Sequence, residues 1–216
     1  MNFLAHLYLS GESEDIMTGN FIGDYVKGTR YGQYQGDIRR GILLHRAIDD
    51  FTDRNLHFRE SRKLFTEDYR RYSGIVADVV FDHFLAKHWT VYSKVRLRDF
   101  TRRAHAVLLS RFLKLPFRVQ QFLPFMIQHR RLESYATPQG MEKALRIMSG
   151  YTSLPPFSHK VLEVVNNHHD LLLELFIRFM DEIICYVEEN HQILLNRPDS
   201  GSIRTGYDHH NNGLQA

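Results

Sequence analysis

Apolar residues recur every three or four positions through most of this chain, and alternating β-branched runs bounded by turns are almost absent. The pattern predicts an all-α fold with helices at 2–9, 17–27, 37–53, 56–71, 75–90, 97–112, 117–132, 138–149 and a long one at 157–192. Breaks fall at Gly28, Gly32 and Gly36, at Ser73-Gly74, at Pro116 and at Pro155-Pro156, while Pro138 suits a first helical turn and Thr18 a cap. The last helix carries an apolar side long enough to brace several others. Beyond it, residues 196–216 are poor in large apolar groups and rich in Gly, Asn and Ser, which predicts a disordered tail behind one helical domain at 1–195.

Some polar residues fall where this pattern wants apolar ones. In GILLHRAIDDFTD (41–53), His45, Asp49 and Asp53 form an i, i+4, i+8 row on one helix face. The row is either a solvated outer face or one wall of a site. Arg46 lies one step round, beside Asp49 and Asp50, with Asp50 placed for a surface ion pair. Asp49 is therefore open to two roles, binding a metal or holding Arg46.

The segment GIVADVVFDHFLAKHW (74–89) is apolar nearly all round and should be buried on most sides. A buried, unpaired carboxylate costs several kcal/mol, roughly, or takes up a proton, so Asp82 needs a cation, a metal or strong donors. Asp78 lies one turn before it and His83 directly after. Asp24, in TGNFIGDYVKG, sits among Phe21, Ile22, Tyr25 and Val26, with Gly19 and Gly23 allowing close backbone approach. His6, in MNFLAHLYL, is a histidine in similar company.

Each of these residues has an ordinary explanation as a cap, a turn residue or a core hydrogen bond. The set His6, Asp24, His45, Asp49, Asp82 and His83, confined to the first half, points to a metal centre built from several helices. Such a centre activates a water and polarises a phosphoryl oxygen, with Arg46 or Lys27 offsetting phosphate charge. The single Cys185 excludes an internal disulfide and a cysteine-bound metal, so the ligands must be nitrogen and oxygen.

Composition adds a partner class. The formal charge is only +3, yet a pI near 9.0 and the runs RESRK, YRRY, KVRLRDFTRR and QHRRLE imply basic patches that favour an acidic partner. No run is long and apolar enough to span a bilayer, and the first residues lack the features of a signal peptide, so the expected location is the cytoplasm.

Four segments in order, MNFLAHL, GNFIGDYVKG, GILLHRAIDDFTD and DVVFDHFLAKHW, resemble the bacterial acyl carrier protein phosphodiesterases over roughly the first ninety residues. The resemblance implies a divergent relative of the HD-domain phosphohydrolases, helical and metal-dependent, using manganese. It also implies hydrolysis of the phosphodiester joining 4′-phosphopantetheine to a serine of holo acyl carrier protein. Carried over by position, the functional residues are His6, Asp24, His45, Asp49, Asp82 and His83, with Arg46, Asp53 and Asp78 around them. Asp24 or Asp82 would orient the water. The adjacent His-Asp dipeptide of the wider HD group is missing, with His45-Arg46 and Asp82-His83 in its place.

Acyl carrier proteins are small, acidic and helical, so the basic helix after the His45 helix, with Arg59, Arg62, Lys63, Arg70 and Arg71, is the expected docking surface, with neither nucleic acid nor membrane as partner. Two rivals remain at this point. One is a phosphohydrolase of a nucleotide or small phosphate ester, and the other a helical module that binds nucleic acid or an acidic protein without chemistry.

Overall fold

A helix that is apolar on every side must be covered on every side, and the segment at 73–87 organises the molecule for that reason. In the computed structural model, which describes residues 2–198, this segment forms helix α6 (Ser73–Lys87). Eleven of its fifteen residues are buried. Preceding it are α1 (Phe3–Tyr8), α2 (Glu14–Ile22), α3 (Gly36–Arg54), α4 (Leu56–Lys63) and the single turn α5 (Thr66–Tyr69). Following it are α7 (Trp89–Tyr92), α8 (Leu97–Ser110), α9 (Phe117–Gln128), α10 (Arg131–Ser134), α11 (Pro138–Tyr151), α12 (Ser158–Asn167) and α13 (His169–His191). Short 3-10 turns at Gly23–Tyr25, Gly28–Gln33, Arg70–Tyr72 and Phe112–Lys114 complete an all-α architecture, and no strand occurs among the described residues.

α1, α4, α11 and α13 pack on α6. α13 lines its buried side with Leu172, Phe176, Phe179, Met180, Ile183 and Val187 and touches α3, α4 and α6, so it braces the bundle. Phe58, Phe81, Phe176 and Phe179 form a chain of tilted and edge-on ring contacts at its centre.

α2 and α3 pack backbone against backbone, and glycine allows it. A Cβ on Gly19 would stand 2.0 Å from the Ile38 carbonyl oxygen, and one on Gly41 would stand 2.2 Å from the Ile16 carbonyl oxygen. Two backbones therefore touch directly, which fixes α3 against α2 before any long side chain contributes.

Several boundaries differ from the pattern. α2 starts at Glu14 because Ser13, not Thr18, accepts the Ile16 N–H; the Thr18 hydroxyl instead donates to the Glu14 carbonyl. The expected helix at 17–27 tightens at Gly23 into a 3-10 turn. That at 56–71 stops after Lys63 and reverses through Arg70, whose φ is 47°. The expected 157–192 helix breaks at His168, where the polar run Asn166-Asn167-His168-His169 offers no apolar stripe to carry the helix through. The expected tail lies outside the described residues from 199 onward. Its first residues form no helix; the Lys94 N–H donates to the Asn196 carbonyl and Arg197 pairs with Glu188 at 2.6 Å. No described helix is long and apolar enough to cross a membrane.

Gly19→Ala and Gly41→Ala should each lower the unfolding free energy by about 1–3 kcal/mol or more, because the added methyl meets backbone. Gly150→Ala, where a Cβ meets open space, should be neutral or stabilising by up to about 1 kcal/mol. Urea denaturation of the three variants measures both, and equal effects would contradict the backbone contact.

Candidate metal centre

Three elements bring His6, Asp24, His45 and Asp49 together. α3 presents His45 and, one turn on, Asp49. The 3-10 turn after α2 presents Asp24, and Gly23 lets that turn lie on the His45 ring, since a Cβ at 23 would sit 2.2 Å from His45 Cγ. α1 presents His6, whose ring stacks on that of His45 with centroids 4.1 Å apart and planes 19° apart.

The hydrogen bonds around His6 determine its tautomer. Asn20 Nδ2 donates to the His6 carbonyl at 2.8 Å and to Ser10 Oγ at 3.0 Å, so its amide orientation is set. Asn20 Oδ1 then accepts from His6 Nδ1–H at 2.8 Å. His6 Nε2 is left with its lone pair, 3.2 Å from Asp49 Oδ1. Burial, helped by the neighbouring His45, pushes the His6 pKa down to about 4, so the ring is neutral at pH 7. A lone pair facing a carboxylate oxygen at that distance is repulsive unless a cation is shared between them.

His45 Nε2 lies 3.2 Å from Asp49 Oδ2 and 3.5 Å from Asp24 Oδ1. Burial opposes charge on this ring, but the two carboxylates overcome it and hold the pKa up to about 9. Asp49 is in turn held well below the usual carboxylate range: burial works against this, and His45 and His6 outweigh it. His45 lowers Asp24 as well.

Among the described residues, ligand atoms of His6, His45 and Asp49 all lie within 4.8 Å of one another. Donors bound about 2.1 Å from a common ion stand roughly 3.0–3.4 Å apart, which is the spacing of the close contacts here. The donor set fits a divalent metal. Asn20 plays the part that outer partners play for metal-binding histidines, fixing the ring by its other nitrogen. Its signal in the sequence was an asparagine inside the apolar run MTGNFIGD, between two glycines, and pattern reading passed over it.

The remaining expected residues fall elsewhere. Asp82 is fully buried, and its two oxygens accept the N–H groups of Leu4 at 2.9 Å and Ala5 at 3.1 Å, at the start of α1. The structure gives it strong donors. Burial still pushes its pKa up to about 7 against the pull of these two bonds. His83 turns away from the cluster, with Nδ1–H donating to the Tyr135 carbonyl at 2.7 Å. Arg46 donates to the carbonyls of Val26 at 2.8 Å and Gly28 at 2.6 Å and lies over the Tyr31 ring, bracing the loop after Asp24. Asp50 pairs with Arg54, not Arg46.

A cleft of about 450 Å³ opens beside the cluster. Its wall includes Asp24 and Asp49, then Asp53 and Asp78, and two of the expected docking residues, Arg62 and Arg71. Burial, with Asp49 and Asp53 nearby, raises Asp78 to about 6. Arg59, Lys63 and Arg70 are exposed on the same basic stretch, Lys63 being paired with Glu60. Lys27 is exposed in the loop after Asp24.

Comparison with known proteins gives this geometry a family. A family model described as acyl carrier protein phosphodiesterase matches residues 1–183. The chain is 34% identical over 180 residues to an acyl carrier protein phosphodiesterase of Yersinia pestis, covering 83% of this chain and 93% of the relative. It is 35% identical over 173 residues to one of Serratia proteamaculans, covering 79% and 90% respectively. With one of Klebsiella pneumoniae it shares 32% identity over 197 residues, covering 89% of this chain and all of the relative. No solved structure matches significantly. The chain belongs to the acyl carrier protein phosphodiesterase family.

If Asp82 serves α1, Asp82→Ala strands two buried N–H groups and should cost about 2–4 kcal/mol of stability. A cost of this size should persist in chelator, by urea denaturation. A loss confined to metal-loaded protein would instead make Asp82 a ligand.

Proposed function

We propose that this member of the family is an enzyme that hydrolyses the phosphodiester between 4′-phosphopantetheine and a serine of holo acyl carrier protein, yielding apo carrier protein and free 4′-phosphopantetheine. The observation that carries the reading is the His6–His45–Asp49 cluster, where two imidazoles and a carboxylate converge beside an open cleft. Its two-histidine, carboxylate donor set agrees with the kinship to HD-domain hydrolases that the sequence resemblance implies.

His6, His45 and Asp49 would hold a divalent ion, manganese by the resemblance, with Asp24 next to them as a further oxygen donor. Bound there, the ion supplies Lewis acidity, lowering the pKa of a water and polarising a phosphoryl oxygen. Asp24 stands at the exposed edge of the cluster, where its carboxylate can orient the attacking water and accept its proton. Water oxygen bonds to phosphorus, the bond from phosphorus to serine oxygen breaks, and the departing oxygen takes a proton. Arg62 and Arg71 counter negative charge in the cleft. Asp82 acts at one remove, by fixing the helix that carries His6. Exposed Arg59, Lys63 and Arg70 beside the cleft steer an acidic protein toward it.

Incubating holo acyl carrier protein with the chain should convert it to the apo mass with manganese and not in chelator, and His45→Ala should abolish conversion. An unchanged holo mass, with turnover of a nucleotide or small phosphate ester, would favour a different substrate. Charge reversal at Arg59 and Arg70 should lower kcat/KM about tenfold at low salt and flatten its salt dependence. Unchanged kinetics would remove this surface from docking.

A further inference from the structure

The cleft beside the cluster is bounded by helices that lead away from it. On α3, Asp49 is followed one turn on by Thr52 and Asp53; on α6, Asp78 is preceded one turn earlier by Gly74 and Ile75. The cleft therefore extends about a helical turn beyond the proposed metal ligands, to Arg62 and Met148. Phe58, Ile75 and Met148 give it apolar surface. Arg62 is held by Nε donating to Ser73 Oγ at 3.0 Å, and Arg71 by its bond to the Tyr72 hydroxyl at 2.6 Å.

We infer that this cleft is the subsite for the pantetheine arm of the substrate, and that Gly74 keeps it open. The inference rests on the reaction proposed above. At about 450 Å³ the cleft has the size of a small-molecule site, for which ~300–1,000 Å³ is usual. A docked protein face needs on the order of 800 Å² on each partner, which a hollow of this size cannot supply. Of the two groups on the phosphorus, one is a serine of a folded protein and the other a slender chain of amides with a dimethyl branch. Only the second fits inside, and mixed apolar and donor walls suit it.

Gly74 differs from the packing glycines. An added Cβ there meets only Arg62 Cδ and Nε at 3.9 Å, ordinary contact, whereas at Gly19, Gly23 and Gly41 it would collide with backbone or a buried ring. Packing therefore tolerates a side chain at 74, and its absence leaves cleft volume.

The test is calorimetric binding of 4′-phosphopantetheine, with inorganic phosphate as a probe of the cluster alone, to manganese-loaded protein. Gly74→Leu, and Met148→Trp from the opposite wall should the first not fold, should weaken 4′-phosphopantetheine at least tenfold. Either should leave phosphate binding and hydrolysis of bis(p-nitrophenyl) phosphate, which has no arm, within about twofold. Wild-type affinity in a folded variant, parallel loss of both ligands, or no binding by the wild type would overturn the inference. Wild-type protein that binds 4′-phosphopantetheine but never cleaves holo carrier protein would uphold the subsite and refute the reaction.

Discussion

The buried carboxylate of Asp82 at the start of α1 is the contact on which the site depends. A six-residue helix is too short to be stable alone, and its first N–H groups have no acceptor within it. Asn2, at its cap position, makes no side-chain cap bond, so the acceptors come from α6, across 78 residues of sequence. Asp82 thereby fixes α1 on α6, the described helix with the most buried residues, and α1 delivers His6. Removing that carboxylate would disturb the cluster without touching it.

From there the site is a consequence of close backbone contact. Gly19 and Gly41 bring α2 onto α3, Gly23 lays the next turn on the His45 ring, and Asn20 on α2 reaches His6. Two stacked imidazoles and two carboxylates are thus compressed into one place. The electrostatics follow the geometry: burial keeps His6 neutral, whereas Asp24 and Asp49 draw a proton onto His45. An arrangement that favours cations at one spot, opens on a cleft and carries arginines on its rim has the parts that phosphodiester hydrolysis asks for.

How much of this was legible in the sequence varies with the range of the interaction. Helical periodicity alone puts His45 and Asp49 on one face, because i, i+4 spacing is local. The apolar company of His6 and Asp24 marks them as displaced polar groups. The burial of Asp82 could be read from α6, and so could its need for donors. That the donors are N–H groups of α1 could not, since a metal and a helix start satisfy a carboxylate equally well on paper. His83 and Arg46 diverge from expectation for the same reason, their partners being the carbonyls of Tyr135, Val26 and Gly28, set by tertiary packing. The helix break at His168 had a local signal in its polar run, which the longer apolar periodicity on either side masked.

The central claim is that His6, His45 and Asp49 share one divalent ion. An anomalous difference map from a crystal grown with manganese tests it most directly. The account predicts a peak about 2.0–2.3 Å from His6 Nε2, His45 Nε2 and an Asp49 oxygen. A peak at Asp82 and His83, or none at the cluster while manganese-dependent hydrolysis persists, would contradict it.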